Sequence, residues 1–320
     1  MKPEPAQQPP PPAGAAQAPP AAASNDGSGQ NTLFRSSSAL VRIDAQVLRA
    51  GRAVGGLAQS DFLVLDDGKP VPLAAFGRDS APLQVILLFD VSGSMSKLLL
   101  EMATAAEKAL ASLQPEDQVA VLVFGRRMLP LLDPTSDRRA AARMIQESPL
   151  ERDVGAGSNL NGAILETLDW LAKRPPFAGR RALIVLTDNK GMHYQTPDEK
   201  VLRALAGMDV TLNAIVSPDA RPPKPVPPKA DANPDFTPLD VFKLAKETGG
   251  DIFRADKTGG RFVEMMERVR LRYDIAIRPQ AGPEGSFRRL EVQLTDAART
   301  RLGKVETRAR TGYYTLAPAP

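Results

Sequence analysis

The stretch "LQVILLFDVSGSMS", Leu83 to Ser96, decides the fold. From Leu83 to Phe89 the chain is almost unbroken apolar, as a strand covered on both faces requires. It halts at Asp90, and three serines and a glycine follow within six residues: Ser92, Gly93, Ser94 and Ser96. An apolar run can end in an ordinary polar turn, or in a polar site held by the sheet it leaves.

Working outward, Leu98, Met102, Ala105, Ala106, Ala109 and Leu113 recur at helical spacing. "QVAVLVF" (118–124) reads as a second buried strand, and "MLPLL" (128–132), with Pro130, suits a sheet edge. "NLNGAILETLDWLA" is a helix, "RALIVLTD" a strand and "EKVLRALAGM" a helix. "DVTLNAIV" is a strand, "LDVFKLAKETGG" a helix closed by a glycine cap and "DIFRA" a last strand, before a helix over 260–272. This alternation across 81–272 predicts an α/β fold: a doubly wound, mostly parallel six-stranded sheet with helices on both faces.

The flanks have a different texture. Residues 38–80 are β throughout, with an Asp67-Gly68 turn signal, and 273–316 hold four further strand patterns with no helix expected between them. Few strands make a marginal sheet alone. The two flanks are therefore expected to pair into one small β-sandwich, with the α/β domain inserted into it. Residues 1–37 read as a disordered Pro/Ala-rich tether, since the first 24 residues hold 8 Pro and 8 Ala and cannot bury a core. Eight prolines between Ser217 and Pro238 mark a long loop without secondary structure of its own, functional or flexible.

Composition narrows the function. The chain of 320 residues is 42% hydrophobic with a net charge of +4, its basic residues interspersed with acids, so nothing reads as a nucleic-acid groove. It has no cysteine, which excludes disulfides and thiolate metal sites. No segment reaches the roughly 18 apolar residues of a membrane span. No secretory leader is written at the start, so the protein is cytoplasmic or a leader has been removed.

Ligands of open α/β sheets gather beyond the carboxyl ends of the strands. Asp90, Ser92 and Ser94 alternate at such an end and can converge. "GAGSNLNG" offers Ser158 and "LTDN" offers Asp188 from two other strand-to-helix loops. Two carboxylates and three hydroxyls, with no nitrogen or sulfur, suit Mg²⁺ or Ca²⁺ rather than zinc. The alternatives are a plain aspartate turn with serine caps, and a helix N-cap for Ser158. Asp153 reads as a solvated loop acid, His193 as a surface-loop residue and Trp170 as core packing. Arg126 and Arg127 read as a solvated turn, and Arg288, Arg289, Arg299, Arg301, Arg308 and Arg310 as the wet face of a sheet.

DVSGSMS resembles the Asp-x-Ser-x-Ser element of the von Willebrand factor A superfamily. The order of that element, a hydroxyl after a glycine-rich turn, and Thr-Asp is similar to the superfamily's metal-ion-dependent adhesion site. The resemblance covers about 82–272. It implies a Rossmann-like sheet and a metal set of Asp90, Ser92, Ser94, Ser158 and Asp188, with Ser158 standing where the family usually has threonine. "DFLVLDDGKPVPLAAF", "LAKETGGDIF", "YDIAI", "FRRLEV" and "VETRARTGYY" resemble a bacterial branch called VWFA-related, which extends the likeness to about 38–316. Many of that branch are exported, which implies a secreted or cell-envelope location, with the cytoplasm as the alternative.

The resemblance implies a protein-binding module for adhesion or assembly. Mg²⁺, or Ca²⁺ or Mn²⁺ in its place, would keep an open position for an Asp or Glu carboxylate of a protein partner. A scaffold whose sandwich carries the binding is a second reading. A metal-dependent hydrolase or phosphatase is a third, weakened because Ser92 stands where a phosphatase of this kind needs an acid, and because Gly-x-Ser-x-Gly and phosphate-binding loops are missing. By analogy with the family, the helix over 260–272 could couple the site to the sandwich.

Overall fold

The computed structural model describes residues 40–78, 81–151, 153–224 and 236–315. The tether expected over 1–37 and the middle of the proline-rich loop, 225–235, lie outside the described residues.

Five strands come first: β1 (Val41–Arg49), β2 (Arg52–Ala53), β3 (Phe62–Asp66), β4 (Lys69–Val71) and β5 (Leu73–Arg78). β3 and β4 form a hairpin whose two turn residues, Asp67 (φ 48°) and Gly68 (φ 79°), both take the left-handed conformation that a tight right-twisted hairpin demands. The Asp-Gly pair supplies it with little strain.

The chain then enters the α/β unit. Its elements are β6 (Leu83–Asp90), α1 (Ser96–Thr104), α2 (Ala106–Leu110), β7 (Gln118–Phe124), β8 (Met128–Thr135), α3 (Arg138–Glu147) and α4 (Leu160–Ala172). Next come β9 (Arg180–Thr187), β10 (Met192–Tyr194), α5 (Asp198–Gly207), β11 (Val210–Val216), β12 (Phe236–Pro238), α6 (Val241–Thr248), β13 (Ile252–Arg254) and α7 (Gly260–Arg270). Six strands form one sheet in the order β8-β7-β6-β9-β11-β13, parallel except for β8. The edge position of β8 fits Pro130, which cannot donate to a ladder.

The apolar run of β6 is explained by its two faces. Val85, Leu87 and Phe89 pack with α1, α2, α3 and α7, while Ile86 and Leu88 pack with α4, α5 and α6. Every residue of β6 is buried. Truncating Phe89 to alanine in such a layer costs about 3–5 kcal/mol.

The tail returns as β14 (Tyr273–Ile277), β15 (Phe287–Leu294), α8 (Asp296–Leu302), β16 (Glu306–Arg308) and β17 (Gly312–Tyr314). β1 is clasped between β14 and β16, and β5 adds beyond β14; a second sheet runs β17-β15-β3-β4. Both sheets contribute to one apolar cluster, including Ile43, Val64, Tyr273, Ile275 and Val292. The expected pairing of the N- and C-terminal strands is therefore observed.

Four expectations need correction. A helix, α8, does stand between the tail strands; Ala298 is fully buried in the shared cluster, and Asp296 in its first turn pairs with Arg299. The proline-rich loop does own secondary structure, because its last residues form β12, which pairs with β10 in a separate two-stranded ribbon. His193 lies in β10 rather than in an irregular loop. Finally, the tail arginines are not simply solvated: Arg288 meets Asp66 and Asp67, Arg308 meets Asp251, and Arg310 meets Asp209.

Arg308 belongs to a buried ionic seam between the α/β unit and the flanking sheets. Asp251 is fully buried and pairs with Arg268 of α7, Arg272 and Arg308. Arg272 also donates to the carbonyl of Gly249 and meets Asp44 of β1, which in turn holds Arg180 at 2.7 Å. Gly249 (φ 80°) sits so close to Ala309 that a Cβ there would lie 2.6 Å from that residue's Cα. Trp170 is core packing as expected, with the Arg174 guanidinium 3.6 Å above its ring centroid.

Candidate metal centre

The chain steps outward from β6 in opposite directions: β7 and β8 lie on one side, β9, β11 and β13 on the other. The switch point is therefore the β6/β9 junction, where a crevice opens at the carboxyl ends of an open sheet. Asp90 ends β6, and Asp188 follows the last residue of β9.

Local packing sets each loop. After Asp90, Val91 donates its N–H to the carbonyl of Phe124, and Met95, fully buried, anchors a 3-10 turn over Gly93–Met95. With Val91 and Met95 inside, Ser92 is left half-buried and Ser94 exposed. The second loop is pinned to the end of β7 by Asn159 N–H donating to the Gly125 carbonyl (2.8 Å) and Arg127 N–H donating to the Val154 carbonyl (3.0 Å). Only glycine fits at 125, since a Cβ would lie 2.5 Å from the Gly155 carbonyl oxygen. Asn159 then caps α4, which presents Ser158 just ahead of the helix.

The five residues expected from the sequence form one connected hydrogen-bond network. Asp90 Oδ1 accepts from the Ser92 N–H at 3.0 Å and from the Ser158 hydroxyl at 3.1 Å. The Ser92 and Ser94 hydroxyls are 3.3 Å apart, and the Ser94 hydroxyl donates to Asp188 Oδ2 at 2.8 Å. Thr187, whose role sequence reasoning did not assign, donates its hydroxyl to Asp90 Oδ2 at 3.1 Å. The Thr-Asp pair at the end of "LTD" was the available signal.

Asp90 is fully buried and Asp188 is 4% exposed. Burial pushes the Asp90 carboxyl above its usual range, against the hydrogen bonds from Ser92, Ser158 and Thr187. Among the described residues no lysine or arginine pairs with Asp90, and the Lys190 ammonium approaches Asp188 only to 3.9 Å. Lys190 is drawn instead to Asp219 at 2.9 Å, and that ammonium, with the Ser217 hydroxyl, lowers Asp219 to about 2.

A second residue missed from sequence holds the rim. Asn189 takes a left-handed backbone (φ 56°), donates its amide to the Arg221 carbonyl at 3.0 Å and accepts the Val241 N–H at 2.9 Å. It ties the Asp188 loop to the start of the proline-rich loop and to α6. Asp153 and Arg127 pair with each other at 2.7 Å, both exposed, and are not part of the network.

The donor set fits a hard divalent cation. A buried carboxylate without a cationic partner is costly, and Asp90 is held by the Ser92 N–H and the Ser158 and Thr187 hydroxyls. Among the described residues no three Asp, Glu or His side chains gather, so a cation here would need the serine oxygens.

Residues 85–191 match the family model described as von Willebrand factor type A domain. No curated protein matches the chain. Similar solved structures include an aerotolerance-related membrane protein from Bacteroides fragilis, 21% identical, covering 58% of this chain and 98% of that chain with a TM-score of 0.45. Another is a von Willebrand factor type A protein from Catenulispora acidiphila, 13% identical, covering 88% of this chain and 75% of that chain with a TM-score of 0.44. The vWF domain of a type V pili tip protein from Porphyromonas gingivalis is 17% identical over 36% of this chain and 40% of that chain, with a TM-score of 0.31. Among the described residues no helix is long and apolar enough to cross a membrane. The strands and loops that build the crevice, residues 85–191, thus match a von Willebrand factor type A domain.

Proposed function

We propose that the protein is a divalent-metal-dependent protein-binding module for adhesion or assembly, and that Asp90, Ser92, Ser94, Ser158 and Asp188 hold Mg²⁺, with Ca²⁺ or Mn²⁺ as substitutes. The observation that carries this reading is the continuous network through those five residues, built on a fully buried carboxylate with no cationic partner among the described residues. Bound there, the ion supplies a partly desolvated positive charge to which a partner's Asp or Glu carboxylate is attracted more strongly than to a solvated lysine. Asp90 and Asp188 offset the ion's charge, the serines supply neutral oxygens, and Thr187 fixes the rotation of Asp90. The rim formed by the Asn189 tie and the β10–β12 ribbon faces whatever docks. No bond is made or broken in this role.

Calorimetric titration with MgCl₂ tests it. A single ion should bind each chain, with affinity reduced about tenfold or more in Ser94→Ala and lost in Asp188→Asn. Absence of binding, or equal binding by both variants, would sink the reading. Capture of a partner in Mg²⁺ but not in EDTA then tests the carboxylate. The setting proposed with it is secreted or at the cell envelope, resting on the sequence resemblance over 38–316 and checked by cell fractionation.

A further inference from the structure

A second recess lies at the amino ends of the parallel strands, opposite Asp90. It is a cavity of ≈ 260 Å³ where the starts of β9 and β11, with α5 and α6, face β1, β14, β15 and β17. One side is apolar: Leu202 and Ala206 of α5 stand with Phe287 and Tyr314, whose rings meet edge-on at 5.3 Å between centroids. Phe287 is 52% exposed.

The other side carries guanidiniums. Arg42 is paired with Asp274, Arg180 with Asp44 and Arg310 with Asp209. Arg181 differs. It reaches only the amide oxygen of Gln84 at 3.4 Å and the carbonyl of Met208 at 3.3 Å, and among the described residues no carboxylate pairs with it. Burial holds Arg181 below the ordinary arginine range; Asp209 opposes that, and the like charge of Arg42 adds to it. A half-buried guanidinium that feels a second one, and lacks its own carboxylate, is a site short of an anion. Arginine is the side chain that takes a carboxylate through two parallel bonds.

We propose that this recess binds a small organic carboxylate, its acid group on Arg181 and its apolar body against Leu202, Phe287 and Tyr314. The volume falls just below the usual range of about 300–1,000 Å³ for small-molecule sites, which limits the buried part of the ligand to roughly a dozen non-hydrogen atoms. A free acid and the C-terminal carboxylate of a peptide ending in an apolar residue present the same chemistry.

The experiment is NMR titration of the whole chain with phenylacetate, with N-acetyl-glycyl-phenylalanine as the peptide acid, and with phenylacetamide as the neutral control. At least one acid should bind, with the amide about tenfold weaker or more, and Arg181→Gln should erase that preference. Leu202→Trp, which fills the recess and leaves Arg181 in place, should abolish binding of both acids. A peptide acid about tenfold tighter than phenylacetate identifies a peptide end as the ligand; the reverse identifies a free acid. Asp188→Asn should leave the affinities for these three compounds unchanged, so failure of the metal reading and failure of this one are separable. Binding of neither acid, equal binding of acid and amide, or unchanged binding in Arg181→Gln overturns the proposal.

Discussion

Replacing Asp90 by asparagine should invert its effect on stability according to whether magnesium is present. Without metal, the wild-type carboxylate is fully buried with three donors and no cation. Asparagine keeps the shape and one acceptor oxygen, and the Thr187 hydroxyl can rotate to accept from its amide. It also removes a buried charge, whose desolvation otherwise costs several kcal/mol at most. In EDTA the variant should therefore be as stable as wild type or more so. With Mg²⁺ at about a hundred times its dissociation constant, wild type gains about 2.7 kcal/mol and the variant nothing. For a folded unit of this size that is roughly 5–10 °C of melting temperature. Thermal melts of both proteins in EDTA and in MgCl₂ make the comparison. A wild-type melt indifferent to magnesium, or a variant already weakened by more than about 2 kcal/mol in EDTA, would show that Asp90 is a structural turn acceptor and refute the argument.

Further outcomes follow from neighbouring charges. Lys190→Met removes the ammonium nearest Asp188, and magnesium affinity measured by calorimetry should rise about threefold or more, the gain shrinking in high salt. Asp219, lowered to about 2, contributes stability above the ordinary carboxylate range that is lost as pH falls from near 4 through 2; a carboxyl NMR titration should find its midpoint there and find it moved upward in Lys190→Gln. Asp251→Asn leaves Arg268, Arg272 and Arg308 without their shared buried acid, and urea denaturation should record a loss of about 3–5 kcal/mol. A loss below about 1 kcal/mol there would mean that the carbonyls around Arg272 suffice.

The α/β unit was legible because its strands are long, apolar and buried on two faces, so that their ends stand out as abrupt polar punctuation. Asp90, Ser92, Ser94, Ser158 and Asp188 each sit at such an end, and all five fall into one network. What escaped has short-range or cross-chain causes. α8 has only seven residues, and its one buried anchor, Ala298, gives no periodic signal. β10 and β12 have three residues each, and their pairing joins segments more than forty residues apart. Arg308 reaches Asp251 and Arg310 reaches Asp209, 57 and 101 residues away, so alternation along a strand suggested solvent where the fold supplies acids. Asn189 was hidden because its amide acts on Arg221 and Val241, beyond the next strand.

The clasp of β1 between β14 and β16 bears on how the molecule answers tension. Leu40 leads into that clasp, and Thr315 leaves from β17, which is laced to β15 and β3. A pull applied through these two points is transmitted by the flanking strands, and the six-stranded sheet hangs between β5 and β14 as a side branch outside the line of force. The hydrogen-bond network at Asp90 thus lies off the strands that carry the load.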